Sequence, residues 1–508
     1  MRWPFSWRAK TVGEAPRPAT PASHRRAPTL LTRSFRAAYP DRLANGFNLF
    51  GNFMRAETRQ EIRGLVQHSR HAAQNFDYAR AYEMLFRRHV IGPNGIRLSM
   101  DVKESDGRKD KAANAIIEAG WAKWGKFGSP TICGRLSWWG VECQMATAIA
   151  REGGAFLRFH TGRRYGPFGL KVEPIPFDLL DIDLTMPLRG GGYIESGIEF
   201  DADGRPMAFH IWSVAMSETH RSVPRRRVRV PASEMIHVLV PEEVGQALGV
   251  PRSNTALRLM NMSERFQESA MTAANYGAAS MVFFKQADTS GQIGGEAVTD
   301  PPIDEIEGGT MALLPPGVEP VPHVPNYPDA QVEPFLRTMA TSQAAGLGVA
   351  YETLTADLSR ANFSSLRAGK GEEREEWEML QRAIFESLHD RVHSRWLEQA
   401  ILRGALRLPI SNLDKFDAAI WRPRGWTSVN PKDDATANAN DLASGAKSLT
   451  EIVAERGRSL DDVLDERAAE AEAFRARGLP VPAWAGTPDD GVPGDTEPPN
   501  GKAPNATT

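Results

Sequence analysis

The stretch LSRANFSSLRAGKGEEREEWEMLQRAIFESLHDRVHSRWLEQAIL, residues 358–402, decides how the rest of the chain is read. It opens polar and turn-prone, then runs on without proline as a charged helical pattern. Trp377, Leu380, Ile384, Leu388, Val392 and Trp396 recur at steps of three and four, which lines them up on one face of a helix. Arg and Glu crowd the opposite face. At the helical rise per residue, a helix over 364–404 is a rod roughly 60 Å long. Such a rod suits either a core helix of a large domain or a spine between neighbouring subunits. Glu372, Glu373, Glu375 and Glu376 fall in its early turns, where the helix dipole favours acid. The other reading is an acidic face that repels a polyanion. His389 and His393 lie four apart and share a face; with no third ligand nearby, a solvated or intersubunit face is expected rather than a zinc site.

Upstream of the rod, a helix is expected at about 328–347 and a polar loop at about 351–363. Before those comes a Gly- and Pro-rich region to about 327, and a helix at 252–284. Residues 155–240 read differently. AFLRFH, LKVEPIPFDLLDI, YIESGIEFD, MAFHIWSV and EMIHVLV are short strand-like runs, and DADGRP (201–206) is a hairpin signal. Further back, helical spacing covers 55–90, with Ile62, Leu65, Val66, Tyr82, Leu85 and Phe86 among the apolar positions. IGPNGI (91–96) ends that pattern, and helices follow at 110–127 and 137–153, the latter stopped by Gly153-Gly154. Downstream, Ser448 with Glu451 and Ser459 with Asp462 have capping-box spacing, and Gly457 and Gly478 mark helix ends. The fold class is helix-rich α+β.

Composition narrows the function. The 508 residues are 41% hydrophobic, ample for a large core, and carry a formal net charge of −2. A chain that gripped nucleic-acid phosphates over its whole surface would be basic, so any such contact is local. The strongest local cluster is RSVPRRRVRV (221–230), where Arg225, Arg226 and Arg227 either sit on an exposed loop leading into a strand or contact acid on a partner or DNA. The two cysteines, Cys133 and Cys143, form no disulfide framework; they are expected to be buried small hydrophobes in a reducing compartment. No apolar run is long enough to span a membrane. Residues 1–40 are a basic, Pro-rich arm without the apolar stretch of a secretory signal, and residues 480–508 read as a disordered tail. No GxxxxGK[ST] loop, GxSxG elbow or HExxH helix occurs, so no catalytic residue, cofactor or metal is expected.

Several segments, taken in order, resemble the portal proteins of tailed bacteriophages of the lambda type. They are NFDYARAYEMLFRRHVIGPNGIRL (75–98), GIEFDADGRPMAFHIW (197–212), VPASEMIHVLVPEEVGQALGVPRSNTAL (230–257), GGTMALLPPGVE (308–319), GLGVAYETLTADLSRANFSSLRAG (346–369), RWLEQAILRGAL (395–406) and 429–470. One departure is visible. Where the family has Arg-Gly in GQxRGxP, this chain has Ala247-Leu248-Gly249.

The resemblance implies a portal fold. Its parts would be an outer wing (41–251), stem helices (252–284 and 328–347), a clip with adjoining strands (285–327), a tunnel loop (348–363), a spine helix (364–408) and a helical crown with flanking segments (409–479). It implies a ring, typically of twelve identical subunits, at one capsid vertex. Double-stranded DNA would pass through the ring during packaging and ejection. The ring would dock the terminase large subunit and head-completion connector proteins, and nucleate assembly with major capsid and scaffold proteins. It would be a virion part assembled in the host cytoplasm, with no enzyme activity of its own.

In that frame Thr355, Asp357, Leu358, Ser359, Arg360, Asn362 and Ser364 are tunnel-loop residues, with Arg360 the phosphate contact. Ser359 or Asn362 would alternatively cap the next helix. Glu372, Glu373 and Glu376 would face the channel, and Asp304 and Glu305 would belong to the clip. The competing classes are a nucleic-acid-processing hydrolase with an unrecognised site and an adaptor that closes no ring.

Overall fold

The computed structural model describes residues 54–215, 224–278, 282–286, 318–322, 331–426, 431–480, 482 and 484. All of them belong to the unit Met54–Thr508. The N-terminal arm, nearly all of the C-terminal tail and most of the clip, Asp304 and Glu305 included, lie outside the described residues.

The expected helix over 55–90 is two helices, α1 (Met54–Asn75) and α2 (Asp77–Phe86). Phe76 parts them because its backbone is extended, and α2 runs on into a π-helical turn, Arg87–Ile91. Helices α3 (Lys111–Trp124) and α4 (Trp138–Glu152) follow. Asp110 accepts the Ala113 N–H to start α3, and Ser137 accepts the Gly140 N–H to start α4. Gly153 closes α4 at φ 84°, and a Cβ on Gly249 would lie 2.0 Å from the Gly153 carbonyl oxygen. The 245–251 segment therefore packs backbone to backbone against the helix end, with Leu248, the residue standing where the family has Arg, buried.

Strands β2 (Gly154–Thr161), β3 (Leu170–Ile175), β5 (Tyr193–Glu195), β6 (Ile198–Phe200), β7 (Pro206–Trp212) and β9 (Met235–Leu239) fall in the strand-like runs, whereas β1 (Arg97–Met100), β4 (Met186–Pro187) and β8 (Arg227–Pro231) lie outside them. β8 begins inside the Arg cluster. FDLLDI is not strand: Phe177–Leu179 forms a 3₁₀ turn. The strands make a sheet of order β3-β2-β9 and an antiparallel meander β4-β5-β6-β7-β8, with the 201–206 turn joining β6 to β7.

Helix α5 (Asn254–Ala278) packs beside α6 (Val332–Leu347), with Gln343 donating to the Ser263 hydroxyl at 2.8 Å in the buried seam. Between them β10 (Val282–Gln286) pairs antiparallel with β11 (Val318–Pro322). The expected loop at 351–363 begins as a short helix, α7 (Tyr351–Thr355). The rod is α8 (Phe363–Ile384), a π-helical turn (Phe385–His389) and α9 (Asp390–Leu402). Beyond it come α10 (Leu413–Phe416), β12 (Ala419–Arg422), α11 (Pro431–Ser444), α12 (Leu449–Glu455) and α13 (Leu460–Ala476). β12 pairs with β1, a contact between distant parts of the chain that no local pattern announces.

The apolar stripe of the rod is the core. Trp377, Leu380, Ile384, Leu388, Val392 and Trp396 are all buried, in one cluster with α2, α3, α4 and the β2 sheet. A second cluster joins the meander to Ile62 and Val66 of α1.

Three expectations are corrected. His389 and His393 are fully buried rather than solvated: His389 Nε2 donates to Glu142 Oε1 at 2.7 Å, and His393 Nδ1 to Asp417 Oδ1 at 3.0 Å. A buried imidazole needs a polar partner, and both carboxylates come from outside the rod, Glu142 from α4 and Asp417 from the segment just after α10. Cys133 is exposed on a loop rather than buried. Ser448 and Glu451 do form the reciprocal capping box, whereas Ser459 makes no side-chain cap bond to α13.

Candidate nucleic-acid interface

The segment between α7 and α8 is held by one carboxylate. Ala356 breaks α7 at φ 58°, a left-handed conformation that leaves Asp357 facing back toward the helix. Asp357 Oδ1 accepts from the Ser359 amide at 3.0 Å and the Ser359 hydroxyl at 2.6 Å, and Oδ2 accepts from the Tyr351 hydroxyl at 3.0 Å. Arg337 of α6 stands 3.8 Å from Oδ2 and lies over the Tyr351 ring. Chiefly through the Ser359 and Tyr351 hydrogen bonds, the Asp357 carboxyl is lowered to about 2. Asp357 is therefore an anchor that ties the loop to α6. Ser359 is spent on that turn rather than on capping α8, and the Leu366 amide donates to the Asn362 carbonyl. Thr355 bonds back to the Tyr351 carbonyl.

Outside this anchor the loop is open. Leu358 is 59% exposed. Arg360 reaches Glu333 of α6 at 3.2 Å, but both side chains are largely exposed, so the pair is weak and exchangeable. The Ser364 side chain lies outside the described residues.

The acidic run on α8 splits. Glu372 is exposed. Glu373 turns inward, 7% exposed, accepting from Thr353 at 2.7 Å and from the Trp377 indole at 3.1 Å. Glu376 pairs with Arg252 at 2.8 Å, fastening the segment before α5 to the rod. The Arg cluster is likewise partly used inside the chain. Arg227 pairs with buried Asp181 at 2.6 Å, and Arg225 stacks 3.9 Å over Trp212. Arg226 is exposed and is held by its amide, which donates to Ser213. The anchors Arg337 and Tyr351 escaped the sequence reading because each sits in an unexceptional helix; only tertiary packing brings them to Asp357.

No helix among the described residues is long and apolar enough to cross a membrane. A helix pair, a short loop held at its base and a stiff rod behind the loop define a structural element that presents a loop.

Comparison with known proteins gives this arrangement its family. The model of phage portal proteins of the lambda family matches residues 41–381, and the chain belongs to that family. A probable portal protein of Halomonas phage phiHAP-1 is 29% identical over 96% of this chain and 95% of its own length. Portal protein B of Escherichia phage lambda is 23% identical over 57% of this chain and 60% of its length, and the portal protein of Escherichia phage N15 is 24% identical over 57% and 61%. Among solved structures, a chain from the neck of a native gene transfer agent particle with C12 symmetry aligns with a TM-score of 0.43 at 11% identity, covering 83% of this chain and 94% of that one. Portal proteins are structural components of the virion at the head–tail connector, so family membership points to a non-enzymatic role.

Proposed function

We propose that this chain assembles into a closed ring of twelve copies at one capsid vertex and conducts double-stranded DNA during packaging and ejection. The observation that carries the reading is the match to the lambda-type portal family over 41–381, which spans the helix pair, the loop and the head of the rod. In this reading α5 and α6 are the stem, and 285–327 is the clip that meets the terminase large subunit and later the connector protein. The loop 356–362 points toward the passage, with Leu358 and Arg360 as its exposed contacts, Glu372 lines the approach, and α11–α13 form the crown. The ring nucleates assembly with the major capsid and scaffold proteins in the host cytoplasm.

The weak Arg360–Glu333 pair suits this work. Each phosphate that a protein neutralises strengthens binding through counterion release, so a passage lined by many committed cations would stall the DNA. A single arginine held loosely by an exposed glutamate exchanges between protein and phosphate at little cost.

Negative-stain electron microscopy of the purified chain, with its mass measured in solution, tests the reading. Closed rings with a central hole are expected, since heterologous contacts close only when the rotation per subunit fits. Monomers that persist even with capsid and scaffold proteins present would overturn it.

A further inference from the structure

Two clefts share Arg424, and one of them opens at the base of the loop. The first, about 350 Å³, is lined by Arg97, Arg422, Arg424, Arg456 and Arg458, together with the Pro93-Asn94-Gly95 turn, and by no carboxylate. The second, about 400 Å³, opens under Ala356 and Leu358 and adds Arg88, Lys370 and Arg374 against two carboxylates, Glu352 and Glu373. Glu373 is already committed to Thr353 and Trp377.

The fold builds this cluster deliberately close. A Cβ on Gly425 would lie 2.0 Å from the Glu455 carbonyl oxygen, and one on Gly457 would lie 2.7 Å from the Pro423 carbonyl oxygen. The two Arg-Gly steps, Arg424-Gly425 and Arg456-Gly457, therefore cross backbone on backbone, and both arginines line the first cleft. Arg424 donates to the Arg88 carbonyl at 3.0 Å and lies 5.6 Å from the Trp426 ring centre, with Arg374 at 6.0 Å. The Trp426 indole donates to His89 Nδ1 at 2.9 Å, so the aromatic platform is itself fixed.

The charges repel one another. Burial first, then Arg424, Arg88, Arg374 and Lys370, lower His89 to about 4, and burial with Arg374 and Arg88 lowers Arg424. Among the described residues, Arg88, Arg97, Lys370 and Arg456 have no carboxylate partner, although cations elsewhere in this chain are commonly paired. Arg458 is the exception within the cleft, paired with Glu466.

We propose that the paired clefts are a phosphate-binding track that holds the backbone of a nucleic acid, running from the base of the loop to the start of α13. Arginine matches phosphate geometry bidentately, and cations that lack a carboxylate partner are relieved by a bound polyanion. The shared chemistry is the phosphate group; identifying its source as DNA rests on the portal reading above. Arg360 then samples the passing duplex from the loop, while the track behind it engages backbone that has come to rest.

Arg97 and Arg456 are exposed and unpaired, so replacing both perturbs the fold least. Anisotropy of a short fluorescein-labelled DNA duplex with the full-length chain, across a salt series, is the test. Arg97→Ala with Arg456→Ala is expected to weaken binding about tenfold near 0.1 M salt and to lower the slope of log K against log salt by about two. Unchanged melting temperature is the control for folding. Duplex affinity and salt slope equal to wild type, or no duplex binding by wild type, would overturn the track. Saturable binding of inorganic phosphate alone, lost in the variant without any change toward duplex, would assign the clefts to a free anion and also overturn it. A variant that keeps duplex binding but loses oligomer mass would give the clefts to an acidic segment of a second copy. The portal reading fails separately: absence of rings sinks that reading and leaves a duplex result standing, whereas rings with an inert track sink only the track.

Discussion

The two ends of the rod use polar residues in opposite ways. At its C-terminal half, polar groups are taken out of water, and each histidine keeps one carboxylate partner inside. His389 meets Glu142, His393 meets Asp417, and the Trp421 indole donates to Asp390 at 2.6 Å, all among Trp121, Trp138 and Trp396. At its N-terminal head, Arg360, Lys370 and Glu372 stay in solvent. The first arrangement makes the rod rigid, because a buried pair that loses one member leaves an uncompensated group. The second leaves charge available for a partner. The lesson is that a stiff base lets a loop present weak, exchangeable contacts without losing its position.

Substitutions should separate the ends sharply. Trp396→Ala removes a fully buried indole from the middle of the aromatic cluster and is expected to cost about 3–5 kcal/mol in urea unfolding. A loss near zero would mean that the rod is held by its neighbours in an assembly rather than by its own core.

Acid should act next on the half-buried His237. His237, stacked 4.4 Å over Phe156, is lowered to about 4, by burial first and by Arg391 second. Its folded value is below the unfolded one, so the unfolded chain binds more protons between about pH 6.5 and 4. Stability is therefore full above that window and falls as pH drops through it. His237→Gln should flatten the difference between unfolding curves at the two ends of the window; an unchanged pH dependence would exclude His237 as its source.

A smaller loss, about 1–3 kcal/mol, is expected for Gly249→Ala, since a methyl group would meet the Gly153 backbone. Wild-type stability in that variant would show that the 245–251 segment shifts freely away from the end of α4. The smallest effect on folding belongs to the exposed head. Arg360→Ala should change unfolding free energy by no more than about 0.5 kcal/mol and leave ring assembly intact, yet reduce DNA packaging or retention. Normal packaging with that variant would end the case for Arg360 as a phosphate contact.

Much of this was legible in the chain itself. The step of three and four from Trp377 to Trp396 marks the buried face, because a helix can hide only the side that its period brings together. Alternation and the 201–206 turn reveal the meander for the same reason, and Ser448 with Glu451 announces a helix start whose bonds are local. Collinear short segments were enough to place the family. What tertiary structure alone decided are the pairings across distance: β1 with β12, His389 with Glu142, Asp357 with Arg337, and Arg424 with Arg456 through two glycines. Local propensity acts over a few residues. Which carboxylate meets a buried histidine, and which arginines are left without one, depends on packing between separate elements of the chain, beyond the reach of local propensity. For that reason Glu373 reads as channel acid in the sequence and is a hydrogen-bonded core residue in the fold, while Arg97 and Arg456 pass unnoticed until the fold sets them in one cleft.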